Sequence, residues 1–519
     1  MSATAQAAAE PAARVRSSMA SWWPLAAITV FAAVLRLSTL DLQSFWYDEA
    51  FTPVHVLHPS LWATLRSVTH TENTPPLWYV LEWADSRLLG TGELALRLPS
   101  ALAGIATVPV AWAIAREIEG SATSRAAIVC AALVAVNPLF VWYSQEARAY
   151  ALFVLMAALA MLCFLRARRQ PTPKRMAVFA LTGALALLTH YFAVFLLVPM
   201  ALLLLRDRAT RRVAVPAVGV LALVGLALLP LISAQGGHGT QWIGQWPLSD
   251  RLQAIPQYYL TGYSGLPLGR GIELLVALPI LAALAFGAWH MNSPHAHPGL
   301  DGSNVRREGV WIALVIAAGG VIIPIVLVGF GADYLAPRNL VAAMIPLTVA
   351  IAVVSVWPGT GRTGIVLSAL IAVAFLAISL DVDLSPRLQR GNWRDVANAL
   401  RGRVGGDRNY AITTVELGSA PLEYYLHGLH ELHARRSVLV REIDETGYAP
   451  LRASAGAPPA PGFRLKARLD IDGLIVYRFA SVTARLVSEE ALRRHVITLA
   501  APNVLVPANS QANFTDVRG

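Results

Sequence analysis

Two adjacent carboxylates, Asp48 and Glu49, lie in the run Trp46-Tyr47-Asp48-Glu49-Ala50-Phe51-Thr52, a few residues past a hydrophobic segment. Carboxylates are costly near hydrocarbon, so a pair kept there is a candidate for chemistry, against the plainer reading of a solvated loop. An alcohol is a poor nucleophile at neutral pH, and a carboxylate within hydrogen-bond reach can take its proton as attack proceeds. The same connection carries His70, Glu72 and the element Pro75-Pro76-Leu77-Trp78-Tyr79. Further on, Tyr143-Ser144-Gln145-Glu146-Ala147-Arg148 reads as a tight turn between two apolar runs. Arg148 offers a planar fork of donors suited to a phosphate, with Glu146 orienting it or holding a cation. The alternative is that Glu146 and Arg148 pair with each other and cap helix ends. Tyr334 and Arg338 occupy a second such turn, where an arginine also fits a snorkelling interfacial role. His190, in Thr189-His190-Tyr191, suits a packing histidine as well as a ligand.

The elements that hold these groups follow from composition. Of 519 residues, 55% are hydrophobic and only 14% charged, with a mean hydropathy of +0.52, which places the chain among polytopic membrane proteins. The net charge of +10 sits in short clusters between apolar runs. That is the pattern of cytoplasmic anchoring loops, so nucleic acid is not an expected partner, whereas membrane lipids are. Cys130 and Cys163 both lie inside apolar runs and read as small packing residues, with no disulfide or zinc framework. The run from Trp22 to Leu40 is long enough to span and reads as a first helix rather than a cleavable signal.

Eleven apolar runs of spanning character occur at about 22–40, 98–115, 124–141, 149–166, 176–189, 191–205, 213–233, 271–289, 309–330, 339–357 and 363–380. With the N-terminus inside, alternate connections carry Arg116 and Arg125; Arg166 to Arg175; Arg206 to Arg212; Arg306 and Arg307; and Arg362, a consistent positive-inside ladder. The segment Pro75–Gly90 carries Glu82, Asp85 and Arg87, and counting it as a span would invert every later loop. It is therefore expected to be an amphipathic helix on the outer surface, part of one large external loop over 41–97. On this topology Asp48, Glu49, His70, Glu72, Glu146, Arg148, His190, Tyr334 and Arg338 all face outward. Residues 1–20 are expected to be disordered and cytoplasmic, and 21–380 to form the transmembrane domain.

The tail over 381–519 differs in composition. Asn392-Trp393-Arg394-Asp395-Val396 opens an amphipathic helix, Tyr410–Thr414 and Gly473–Phe479 read as strands, Pro421–Leu429 as a helix and Ala455–Pro461 as a loop. A small extracytoplasmic α/β domain is expected.

Taken in order, these motifs resemble the integral-membrane glycosyltransferases of the GT-C class. The likeness is strongest to glycosyltransferase family 39, the group of protein O-mannosyltransferases and the lipid A aminoarabinose transferase. It rests on Asp48-Glu49 after the first span, Pro75–Tyr79, Leu96-Arg97-Leu98-Pro99-Ser100, Tyr143–Arg148 and Pro337-Arg338, and covers about the first 360 residues. The resemblance implies a mannosyl- or arabinosyltransferase-like enzyme of the bacterial cytoplasmic membrane. It would move a sugar from a polyprenyl-phosphate donor to a hydroxyl of a glycan, lipid or protein acceptor on the extracytoplasmic face. It makes Asp48 the general base, with Glu49 beside it, and inversion the expected outcome of a one-base displacement. Arg148, Arg338 and Tyr334 are then the groups for the donor phosphate. Some relatives are proposed to use a divalent cation; Glu49, Glu72, Glu146, His70 and His190 are candidate metal or substrate residues, although no ligand spacing fixes a metal. The chain departs from the pattern in two places. Thr74 stands where many relatives have a histidine beside the Pro-Pro-Leu element, and Ala149 and Tyr150 stand where the aminoarabinose transferases carry an aspartate. The alternative class is a transporter or flippase of a lipid-linked saccharide, which would place ionisable groups near the bilayer midplane and show paired repeats; neither feature is evident in the sequence.

Overall fold

The structure is a computed structural model describing residues 22–120, 124–238, 240–262, 268–269, 271–293, 302–401, 409–432, 436–495, 497–498 and 502–508. The N-terminal stretch expected to be disordered lies outside the described residues. The chain divides into two compact units, one running to Leu40 and resuming over His58–Leu384, the other made of Asp41–Leu57 and the chain from Ser385 onward.

The first unit is helical, and every one of the eleven expected apolar runs contains helix. Among the described residues, seven helices are long and apolar enough to cross a membrane, or eight if the bent pair Arg125–Val136 and Pro138–Ser144 is one span. The count of eleven included three shorter helices. Trp22–Leu37 and Ala193–Arg206 are apolar but short, and Pro173–Thr189 has 17 residues and opens on Lys174 and Arg175. The protein is a multi-pass membrane protein. Leu77–Leu89 is a helix of 13 residues with Trp78, Tyr79 and Glu82 buried; it is not among the spanning helices.

The bent pair shows how local sequence aims a turn. The two helices meet at 55°, at Asn137-Pro138. Proline has no N–H, so the carbonyl of Val134 loses its i+4 partner. The Asn137 side chain then accepts from the N–H groups of Leu139 (3.0 Å) and Phe140 (3.2 Å), which diverts the donors due to Ala135 and Val136. The three orphaned carbonyls are all satisfied from elsewhere. Arg36 donates to Val134 O at 3.3 Å and Ala135 O at 2.8 Å, and Ser379 donates to Val136 O at 3.2 Å. Arg36 also donates to Ser144 Oγ at 3.1 Å. Gly104 makes this possible, because a Cβ there would lie 1.9 Å from Ser144 Oγ. A buried guanidinium thus replaces a missing helical ladder, and the short Pro138–Ser144 helix delivers the Gln145–Arg148 turn.

The second unit contains a six-stranded mixed sheet: β1 Tyr410–Val415, β2 Leu429–Glu431, β3 Ser437–Tyr448, β4 Arg464–Ile471, β5 Leu474–Ser488 and β6 Pro502–Pro507. The spatial order is β2-β6-β1-β3-β5-β4. β1 pairs parallel with β3, with Ile412 opposite Asp444, and the remaining pairings are antiparallel. One face packs Val440, Ile443, Phe479 and Val504. The other packs Ile412, Val476 and Leu505 against Trp393 and Val396 of the Trp393–Arg401 helix.

His495 and Glu445 form an ion pair at 2.9 Å in this unit. The hydrogen bond to Glu445 holds His495 above its ordinary value of 6.5, and burial pushes the Glu445 carboxyl up from 4.5. Both groups bind protons more readily folded than unfolded, so their contribution is fullest at low pH. That of His495 is complete below the ordinary histidine value and is lost as pH rises through the raised one. Hydrogen exchange across β3 and β5 of the full chain, corrected for intrinsic rates, is expected to accelerate as pH rises above the ordinary histidine value of 6.5. His495→Gln should flatten that dependence; an unchanged slope would show that the pair is not its source.

Candidate active site

Four chain connections of the helical unit supply polar side chains that interact with one another. The first follows the Leu61–Thr71 helix, whose N-cap Ser60 accepts from Ala63 N–H. Glu72 is its C-cap and is 5% exposed, and Arg148 forks onto it, with Nη2 to Oε2 at 3.2 Å and Nη1 to Oε1 at 3.4 Å. Such two-point pairing is the geometry in which a guanidinium fixes direction as well as charge. Tyr79 hydrogen-bonds both Glu72 and Thr74, the latter at 3.0 Å. Burial raises its phenol well above the ordinary value, so it remains a donor. Ser100 Oγ donates to the Arg148 carbonyl at 3.2 Å, tying the turn to the long Glu93–Glu119 helix.

Gln235, at the end of the Arg208–Gln235 helix, stitches the loop together. Its amide nitrogen donates to Val68 O at 3.1 Å and Thr74 O at 3.0 Å, while its oxygen accepts from Tyr191 at 2.7 Å. Beside Tyr191, His190 is buried, stacks on Phe153 at 4.6 Å and accepts from Phe192 N–H through Nδ1. Burial, with Arg338 and Arg148 adding repulsion, pushes His190 down to about 3, so the ring is neutral. That coupling connects the Arg148 turn, the His190 turn and the Arg338 turn electrostatically.

The fourth connection is held rigidly. Arg251, from the Leu248–Thr261 helix, donates to Asp333 Oδ1 at 2.6 Å, Asp333 Oδ2 at 2.9 Å and Leu335 O at 3.2 Å. Its hydrogen bonds keep the Asp333 carboxyl below the usual carboxylate range. Tyr259 donates to Leu340 O at 2.8 Å. Between these two anchors lies Arg338, its guanidinium 5.1 Å from the Trp242 ring centroid. Tyr334 is 47% exposed and reaches outward from the same loop.

Asp48 and Glu49 belong to the other unit. They occupy the first turn of the Tyr47–Phe51 helix, Asp48 half-buried and Glu49 fully buried with Arg390 Nε 3.8 Å from its Oε2. His70 is exposed in the last turn of its helix, and Glu146 is buried. Among the described residues no group of three or more His, Cys, Asp or Glu side chains is gathered to hold a metal. Arg251, Gln235 and Arg390 escaped the sequence reading because their partners lie between 44 and 347 residues away.

Residues 73–233 match the family model described as dolichyl-phosphate-mannose-protein mannosyltransferase. The fold is shared with ArnT from Cupriavidus metallidurans. The form bound to undecaprenyl phosphate is 12% identical, with TM-score 0.52, covering 88% of this chain and 98% of that one. The apo form gives 12% identity and TM-score 0.53, covering 89% and 98%. A further match is the archaeal oligosaccharyltransferase AglB from Archaeoglobus fulgidus in complex with an inhibitory peptide and a dolichol-phosphate, at 15% identity and TM-score 0.45, covering 78% and 59%. No curated protein sequence matches the chain. The chain thus shares the fold of ArnT, with apolar membrane helices and a small mixed-sheet domain in its own C-terminal unit.

Proposed function

We propose that this protein transfers a sugar from a polyprenyl-phosphate donor to an acceptor hydroxyl at the outer face of the bacterial cytoplasmic membrane, with inversion at the anomeric carbon. The observation that carries the reading is the convergence of Glu72, Arg148, His190 and Arg338 from four separate connections, with Arg148 and His190 inside the segment that matches the mannosyltransferase model. The binding of undecaprenyl phosphate by ArnT supports the donor class.

The acceptor oxygen attacks the anomeric carbon as Asp48 takes its proton, and the bond from that carbon to the phosphate oxygen breaks on the opposite side. The leaving group is a lipid phosphate whose charge grows as it departs, and fixed cationic donors lower that barrier without reorganising. Arg148 and Arg338 take this role, with Tyr334 adding a hydroxyl. A neutral His190 adds no charge of its own beside them. Glu72 is already engaged by Arg148 and Tyr79, and among the described residues no three or more His, Cys, Asp or Glu side chains gather to hold a cation.

The decisive experiment compares lipid-linked sugars by mass spectrometry in cells with and without the gene. Accumulation of one polyprenyl-phosphate sugar on deletion supports the reading and identifies the donor; an unchanged lipid pool overturns it. At the residue level, Arg338→Ala removes charge-assisted bonds worth about 1.5–3 kcal/mol, so the donor KM is expected to rise by roughly ten- to hundredfold with the acceptor KM unchanged. An equal rise for both substrates would assign Arg338 to packing on Trp242.

A further inference from the structure

We propose that Arg390 is the positioning residue for the acidic pair: the C-terminal unit sets where Asp48 stands by gripping the residues on either side of it. This rests on the reading of Asp48 as base and gives its neighbour Glu49 a distinct role.

The segment Asp41–Leu57 lies between two membrane helices in sequence but packs as part of the C-terminal unit. The grip begins at Gln43, whose side-chain oxygen accepts from Arg390 N–H at 2.9 Å and from its guanidinium at 3.3 Å. Ser44 Oγ donates to Gly391 O at 2.8 Å and accepts from Trp393 N–H at 3.0 Å. Phe45 N–H donates to the Tyr425 hydroxyl at 2.7 Å, and its ring meets Tyr424 edge-on at 5.1 Å. Past the pair, His55 Nε2 lies 3.2 Å from Glu423. The carboxylates sit in five α-helical residues that run on into the five-residue π-helical segment Thr52–Val56, together too short to hold their own geometry, so these contacts must do so.

Within this grip the two carboxylates are not equivalent. Glu49 is 0% exposed and faces the Arg390 guanidinium, itself 2% exposed, whereas Asp48 keeps access to solvent. A buried carboxylate must be compensated, and a cation that also holds Gln43 fixes the helix at its start and its middle. Glu49 is thus an anchor and Asp48 the group left presented. Arg390 lies near the start of the C-terminal unit, in the stretch Arg390-Gly391-Asn392-Trp393 whose backbone also bonds Ser44. Folding of the sheet domain and placement of the base are therefore one event.

The test uses the full chain in lipid nanodiscs and two readouts. Arg390→Ala is expected to accelerate hydrogen exchange over residues 45–51 by about tenfold or more while β3 and β5 keep their protection. It should lower kcat by at least about tenfold with the donor KM held, and Arg390→Lys should recover part of both. If the alanine variant loses protection throughout, Gln43→Ala provides the local probe, with the same exchange signature expected at 45–51. Unchanged exchange there in either variant overturns the proposal. So does faster exchange with undiminished kcat in an active enzyme. If the wild-type chain transfers from no polyprenyl-phosphate sugar yet exchange responds as described, the anchor stands and the glycosyltransfer reading falls.

Discussion

Asp48→Asn is expected to lower sugar transfer by about two to four orders of magnitude, the range for loss of a positioned general base. The substitution is close to isosteric and leaves Glu49 and its buried partner Arg390 untouched. The five-residue helix should therefore keep its place, and donor binding should stay within about twofold. The amide cannot accept the acceptor proton, so the loss belongs in kcat rather than in the donor KM. A single-turnover measurement with purified chain and preformed donor separates the two, because product release no longer contributes. Turnover within tenfold of wild type would remove Asp48 as base. A proportional loss of donor binding would instead make its carboxylate part of the donor pocket. Glu49→Gln supplies the contrast: the adjacent carboxylate is buried, so its loss should act through the placement of the helix and be accompanied by faster exchange over 45–51.

How much of this was legible in the sequence depends on whether the interaction is local. The membrane class and the helical nature of the apolar runs follow from hydropathy summed over whole segments, which single residues do not perturb. The break at Asn137-Pro138 sat in an apolar run and read as one continuous span, although proline removes a donor there. What rescues the freed carbonyls is Arg36, about a hundred residues away, and nothing in its own neighbourhood announces that role. Glu72 and Arg148 were each visible as candidates, but their pairing joins positions 76 apart and no periodicity encodes it. In the tail, β1 and the first part of β5 were read as strands, whereas β2, β4, β6 and the long β3 were not. Its Arg441, Glu442, Asp444 and Glu445 break the alternation, and two of these charges are buried because Arg478 and His495 compensate them across the sheet. The acidic pair itself was conspicuous for its residue types; that the chain around it packs with residues from Ser385 onward was not, since those contacts span more than 340 positions.

Arg148→Ala is expected to show the second large effect, and its two components can be separated. The guanidinium makes a two-point contact with Glu72, whose side chain is 5% exposed while its own is 11% exposed. Removing one member of a buried ion pair leaves the other charge uncompensated, at a cost of about 3–5 kcal/mol in stability. A fall in activity of the single variant would therefore not distinguish a phosphate-binding arginine from a structural one. Glu72→Gln in combination with Arg148→Met removes both charges, and replacing both members of such a pair is often close to neutral. The double variant is expected to regain most of the lost stability in a detergent-resistant unfolding assay. Its affinity for polyprenyl phosphate should nevertheless remain at least about tenfold weaker than wild type, because a departing phosphate needs a cationic donor at that turn whether or not Glu72 is charged. Arg148→Lys refines the comparison: it keeps the charge but loses the fork, so it should retain part of the affinity and less of the orientation. If the double variant recovers both stability and lipid-phosphate binding, Arg148 serves Glu72 alone, and the phosphate must be met by Arg338 and the loop that Arg251 holds through Asp333.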